Sequence, residues 1–156
     1  MTSLSSLINT VHAPGVVEWI GRRGARKQCM TVMEDVQITL SGLAGDHSRP
    51  GKRAVTLIQA EHLAVIAALC GKAAIPPEVL RRNLVVSGIN LIALKGRDVR
   101  IGGARLRWTT VCAPCSRMEA ALGAGGYSAM RGHGGWCAEV VEPGAVAIGD
   151  NLWATD

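Results

Sequence analysis

Two cysteines in the run CAPC, Cys112 and Cys115, are the residues of this chain best suited to covalent or metal chemistry. A cysteine acts as nucleophile or soft-metal ligand in its thiolate form, which a helix N-terminus and a nearby cation both favour. On sequence Cys115 has both: it follows Pro114 at the predicted start of a helix, PCSRMEAAL (114–122), and Arg117 stands two residues on. A soft thiolate there suits a soft metal or a transferable sulfur; a buried structural cysteine is the plain alternative. The CxxC spacing also fits a dithiol pair or half a zinc site. No second CxxC and no HxxxH completes a zinc set, and the βαβ pattern of a thioredoxin-type oxidoreductase is missing. On spacing alone, Cys112 is open between a structural cysteine and a resolving thiol. Cys29, Cys70 and Cys137 are expected to be buried.

Four further segments carry polar groups fit for a ligand. Gly45, Asp46 and His47 form a tight polar turn whose carboxylate and imidazole can orient a ligand, a water or the thiol; an Asx-type turn is the alternative. Lys52 and Arg53 lead into the apolar run AVTLI and suit a phosphate, or simply a solvated edge. Arg81, Arg82 and Asn83 precede LVVSG; on a short helix, neighbouring arginines point about 100° apart, so the two cannot face one small pocket equally. Lastly, Tyr127, Arg131, Gly132, His133, Gly134 and Gly135 make a glycine-rich loop with backbone N–H groups and a positive field for an oxyanion. The GK[ST] ending of a nucleotide-binding loop is absent, so no NTP site is inferred.

The elements that must hold these groups are mostly strands. VVEWIG (16–21), VQITL (36–40), AVTLI (54–58), LVVSGINL, DVRIG, ARLRWTTV and AEVVEPGAVAIGDNLWA alternate or run apolar between Gly and Pro breaks. SGLAGDHSRPGK (41–52) reads as a loop. QAEHLAVIAALCGK (59–72) is the clearest helix, with Leu63, Ile66, Ala67 and Cys70 at three- and four-residue spacing and Gly71 to stop it. PPEVLRRN (76–83) is a short helix opened by proline. The expected architecture is mostly β, a barrel-like single domain over 1–156 with two or three inserted helices.

Composition bounds the partners. The chain has 156 residues, nineteen glycines, no Phe, one Tyr and four Trp, so aliphatic residues and Trp19, Trp108, Trp136 and Trp153 must fill the core. A net charge of +5 fits a small anionic ligand. Nucleic acid is disfavoured, because no basic helical stripe and few stacking aromatics are present. No apolar run reaches the length of a membrane span. The N-terminus lacks the basic start and apolar run of a signal peptide, and five cysteines at irregular spacing do not form a secreted disulfide pattern. A cytoplasmic protein with reduced thiols is expected.

Five segments in order resemble the MOSC family, the molybdenum cofactor sulfurase C-terminal domain, in its stand-alone bacterial form: GLAGDHSRPGKRAVTLIQAEHL (42–63), LRRNLVVSGINLIALKG (80–96), CAPCSRMEAALG (112–123), GYSAMRGHGG (126–135) and EPGAVAIGDNL (142–152). The resemblance covers roughly 40–152 and implies a β-barrel that binds molybdenum cofactor (molybdopterin), with the functional cysteine at Cys115 and Cys112 structural, a resolving thiol being the alternative. It favours Arg82 and Asn83 as the pair at the cofactor, places Asp46 and His47 at the pocket, and adds Lys52, Arg53, Arg117, Arg131, His133 and Gly134 as cofactor-binding candidates. It implies a sulfur carrier or sulfurtransferase partnered by a cysteine desulfurase or a molybdoenzyme. An alternative is a reductase of N-hydroxylated substrates in which Cys115 ligates molybdenum; with no flavin, haem or iron–sulfur motif here, it would need an external electron-donor protein. The pyridoxal-phosphate domain of the founding sulfurases has no room in this chain. A non-catalytic anion-binding adaptor on the same fold is the remaining alternative, and it predicts a buried, unreactive Cys115.

Overall fold

The segment Val55–Gln59 is buried at every position, because its two faces meet two different hydrophobic clusters. In the computed structural model, which describes residues 2–26 and 28–155, this segment is strand β5 of a closed barrel. Around the barrel the order is β1 (Gly15–Arg23), β6 (Leu84–Ser87), β5, β9 (Trp136–Glu142), β8 (Ala104–Val111), β7 (Asp98–Ile101) and β11 (Asn151–Ala154), with β11 pairing back to β1. All of these neighbours run antiparallel except β5 and β6. That parallel pair needs a crossover, which helices α2 (Ala60–Leu69) and α3 (Pro77–Leu80) supply.

Inside the barrel, Val17, Ile20, Leu57, Leu84, Val86, Val99, Leu106 and Ala138 form one core. Outside it, α2 packs on β5 and β6, and Ile58, Ile66, Leu80, Val85, Met130 and Met118 of α4 (Ser116–Leu122) form a second. A strand between two cores loses the polar alternation of a half-exposed strand. β2 (Met30–Met33) extends the sheet beside β1, and a small sheet of β10 (Gly144–Ala147), β3 (Asp35–Thr39) and β4 (Gly42–Leu43) packs Val36, Ile38, Leu43 and Val146 into the barrel core.

The mostly-β barrel expected from sequence is the fold observed, with local differences. LVVSGINL is strand only to Ser87; Leu91–Leu94 is a 3-10 turn. That turn is pinned by Trp108, whose indole N–H donates to the Leu91 carbonyl at 2.9 Å, and by Gln59, whose side chain accepts from the Leu91 N–H at 3.0 Å. The glycine-rich loop begins with a helix, α5 (Gly126–Met130), where only loop was expected. Glu119 makes it possible by accepting from the N–H groups of Gly125 and Tyr127 at its start, the office of an N-terminal cap. Helix α1 (Leu4–Asn9) was also not expected. Trp153 is 40% exposed rather than core, and of the cysteines expected to be buried Cys29 is exposed and Cys70 only half-buried. Among the described residues, no helix is long and apolar enough to cross a membrane.

Asn83 ties the strands at the point where the parallel pair begins. It is wholly buried. Its Oδ1 accepts from the N–H and hydroxyl of Thr56 on β5, at 3.0 and 3.2 Å, and its Nδ2 donates to the Gly21 carbonyl on β1 at 3.2 Å. Replacing Asn83 with Ala would strand a buried donor and a buried acceptor, so a loss of about 3 kcal/mol is expected in urea unfolding. A variant as stable as the parent would show that these bonds do not stabilise the barrel.

Candidate functional site

The loops at one side of the barrel enclose a cavity of about 570 Å³, a size ordinary for a small-molecule site. One wall is the pinned 3-10 turn with Lys95 just beyond it; another is the segment 111–114 that leaves β8. His62 on α2 and the end of the glycine-rich loop, with Arg131, Gly132 and Gly134, complete it.

Arg82 joins three of these segments. Its guanidinium is buried, 8% exposed, and donates to three carbonyls: Gly134 at 2.8 Å, Leu80 at 3.0 Å and Cys112 at 3.3 Å. A buried cation is tolerated when acceptors surround it, and here they come from the glycine loop, the end of α3 and the CxxC segment. Close approach at this clasp leaves little room for side chains. A Cβ on Gly134 would come within 2.8 Å of the Cys112 carbonyl and 3.3 Å of Arg82 Nη2, and one on Gly135, where φ is +90°, would strike the Leu57 carbonyl.

The clasp fixes Cys112 against the cavity, which it lines. Cys137, buried on β9, gives its S–H to the Cys112 sulfur, and Arg82, Arg53 and Arg23 add positive potential. The hydrogen bond is the main cause, ahead of the arginines, and together they outweigh burial, so that Cys112 is held below its ordinary thiol value, at about 6. Cys137 is pushed up in turn, first by the hydrogen bond it donates and then by burial and the Cys112 charge. Sequence reasoning gave Cys112 a structural part and did not pair it with Cys137; the signal was that both bracket the same glycine loop and leave adjacent strands.

Cys115 stands in a different setting. It is exposed, caps the start of α4 with its backbone, and does not line the cavity, although its neighbours Ala113 and Pro114 do. Arg117 on the first turn of α4 is exposed and within electrostatic reach of Arg81. Arg81 holds a left-handed backbone, φ +60°, at the end of α3, and its Nη2 is buried with no acceptor among the described residues. Two cationic groups thus flank the CxxC segment: Lys95 and Arg131 on the cavity, and Arg23, Arg81 and Arg117 outside it.

The remaining candidates divide clearly. Arg131 and Gly134 line the cavity. His133 lies behind the lining, its ring edge-on to His62 with centroids 5.3 Å apart. Burial and the His133 charge hold His62 below its ordinary value, against Glu61, so at neutral pH it presents a neutral imidazole to the cavity. Lys52 and Arg53 are exposed at the mouth of β5. Tyr127 is exposed on α5. Asn83 is sealed in the barrel wall as described. Asp46 and His47 do not line the cavity. The Asp46 carboxylate, with no exposed surface, forms a forked ion pair with Arg23, from Nε at 3.2 Å and Nη2 at 3.0 Å, and accepts the Arg23 backbone N–H at 2.6 Å. Its turn therefore braces the end of β1, and His47 projects outward, exposed.

Two measurements follow from these charges. Burial raises the Asp46 carboxyl, but the Arg23 hydrogen bonds and charge prevail and hold it below the ordinary carboxylate value. A lowered carboxyl stabilises the fold at neutral pH, and that contribution is lost as pH falls through its folded value. Asp46→Asn should cost about 2–3 kcal/mol at pH 7 and flatten the acid limb of the stability profile; an unchanged acid limb would remove the pair from the account. For Cys112, the rate of iodoacetamide labelling should rise with a midpoint of about 6, and Cys137→Ala should move that midpoint upward. A Cys112 that labels only above pH 8 contradicts the proposed hydrogen bond.

The sequence pattern of the MOSC domain matches residues 23–153. Among solved structures, YuaD from Bacillus subtilis superposes with a TM-score of 0.78 at 22% identity, over 90% of this chain and 94% of that one. YiiM from Escherichia coli gives 0.72 at 20% identity, over 90% and 70%, and YiiM from Geobacillus stearothermophilus 0.68 at 14%, over 91% and 73%. At such identities these likenesses speak for the fold. No curated protein matches the sequence.

Proposed function

This chain belongs to the MOSC domain family, a family associated with the molybdenum cofactor, and from that premise we propose that it binds this cofactor and uses the Cys115 thiol as a sulfur carrier towards it. The observation that carries the proposal is an exposed Cys115 at the edge of a cavity walled by a second cysteine, two cations and glycine backbone.

The donor set fits the group. A pterin phosphate is an anion, and Lys95 and Arg131 face the cavity; planar guanidinium groups match phosphate oxygens in pairs. Molybdenum is a thiophilic metal, and two cysteines of the CxxC segment offer soft ligands. Arg131 and Lys95 would hold the anionic part, and Cys115 would meet the metal or bring sulfur to it. When bound, the cofactor would supply a redox-active metal centre that accepts sulfur and oxygen ligands.

The chain's own residues perform the rest. Arg82 holds the CxxC segment and the glycine loop in register. His62, kept neutral, can accept a proton at the cavity wall. Cys115, open to solvent, can be reached by a partner such as a cysteine desulfurase and can then hand sulfur inward. A non-catalytic adaptor would have no use for that exposure. Five cysteines without a disulfide among them support work in a reducing compartment such as the cytoplasm.

The protein should be purified after expression with the cofactor supplied, and molybdenum, pterin and persulfide measured for the parent and Cys115→Ser. Bound pterin in both, with persulfide or molybdenum lost from the variant, is the expected result. Near-zero molybdenum, pterin and persulfide in both proteins would overturn the proposal.

A further inference from the structure

Cys112 and Cys115 are three positions apart and live in opposite surroundings. Cys115 faces solvent; Cys112 is half-buried, faces the cavity and takes the S–H of Cys137. The two residues between them belong to neither β8 nor α4, and both line the cavity wall. Three residues of chain reach at most about 11 Å when extended, so a modest bend in this irregular stretch brings the two sulfurs together. Cys112 itself is anchored by the Arg82 bond to its carbonyl and by its own N–H on the Gly135 carbonyl at 2.8 Å. Cys115 is tied to α4 through its carbonyl, which accepts from the Met118 N–H at 2.9 Å, while its side chain stands open to solvent.

We propose that the two cysteines are successive stations for sulfane sulfur, Cys115 loading at the surface and Cys112 receiving the sulfur on the cavity side. This rests on the carrier role of Cys115 and names its acceptor. In the step, the Cys112 thiolate attacks the outer sulfur of the Cys115 persulfide. A new S–S bond forms at Cys112, the S–S bond at Cys115 breaks, and Cys115 departs as thiolate. The terminal S–H travels with the transferred atom. No electrons are gained or lost overall, so no outside oxidant or reductant is needed. Cys112 lines the cavity and is thus placed to release the sulfur to an acceptor there. The cations there, Lys95 and Arg131, would draw an anionic acceptor to it.

The test uses persulfidated serum albumin, a donor too large to enter the cavity. The reduced, intact protein is exposed to it briefly, alkylated at intervals, and mapped by peptide mass spectrometry. Label should appear first on Cys115 and then on Cys112. In Cys112→Ser it should stay on Cys115, and in Cys115→Ser the labelling of Cys112 should fall about tenfold or more, since the donor cannot reach it. Cys137→Ala, which leaves both stations in place, should lengthen the interval between the two labels. The relay is overturned if Cys115 loads while Cys112 stays bare, if Cys112 loads as fast without Cys115, or if the sulfur leaves as sulfide with a Cys112–Cys115 disulfide behind it. If neither cysteine loads in the folded parent, the carrier role itself fails, a result distinct from failure of the relay alone.

Discussion

The site depends on one buried guanidinium. Arg82 satisfies three carbonyls from segments that the chain delivers far apart, at positions 80, 112 and 134, and each of those carbonyls would otherwise compete for water at the cavity edge. A cation withdrawn from solvent is stable only with such a set of acceptors, so the three segments and the arginine require one another. The constraint reaches the barrel through the next residue, because Asn83 locks β1, β5 and β6 where the crossover returns. It also explains a local choice of residue: at Gly134 the clasp leaves no space for a side chain.

Electrostatics then separates two chemically identical side chains. At Cys112 the local field is made by a thiol donor and three arginines within reach, in surroundings from which water is partly excluded and such effects are large. At Cys115 the same backbone segment has emerged into solvent. The distinction is a property of position in the fold and cannot be read from the letters CAPC alone. It turns on Cys137, which lies on the neighbouring strand and is brought alongside by the β8–β9 pairing.

Much of the scaffold was legible because alternation and glycine breaks report strands directly. ARLRWTTV and DVRIG appear as β8 and β7 at nearly the expected bounds, and the helix at 59–72 appears as α2. The segment 126–130 was taken for loop because glycine dominates it locally; the Glu119 carboxylate that starts the helix lies outside that window. Helix α1 lacks any buried residue, so it leaves no amphipathic signature to find. Of the candidate site, Arg131 and Gly134 meet at the cavity, whereas Asp46 is drawn into a pair with Arg23. Nothing in the local sequence of either residue announces that pair, since 23 positions separate them.

The closure of the barrel has a consequence for how the molecule comes into being. The seam joins Gly15 and Val16 to Leu152 and Asn151, and the Val17 N–H donates to the carbonyl of Asp150 while its carbonyl accepts from Gly149. These contacts join segments 136 positions apart, and long-range pairing of this kind is slow to form. During synthesis β1 must wait with one edge open until β11 has left the ribosome. The barrel that carries the pocket closes only then. An unpaired strand edge invites wrong pairing, so the interval before β11 emerges is when this protein is most exposed to aggregation and when a chaperone would matter most.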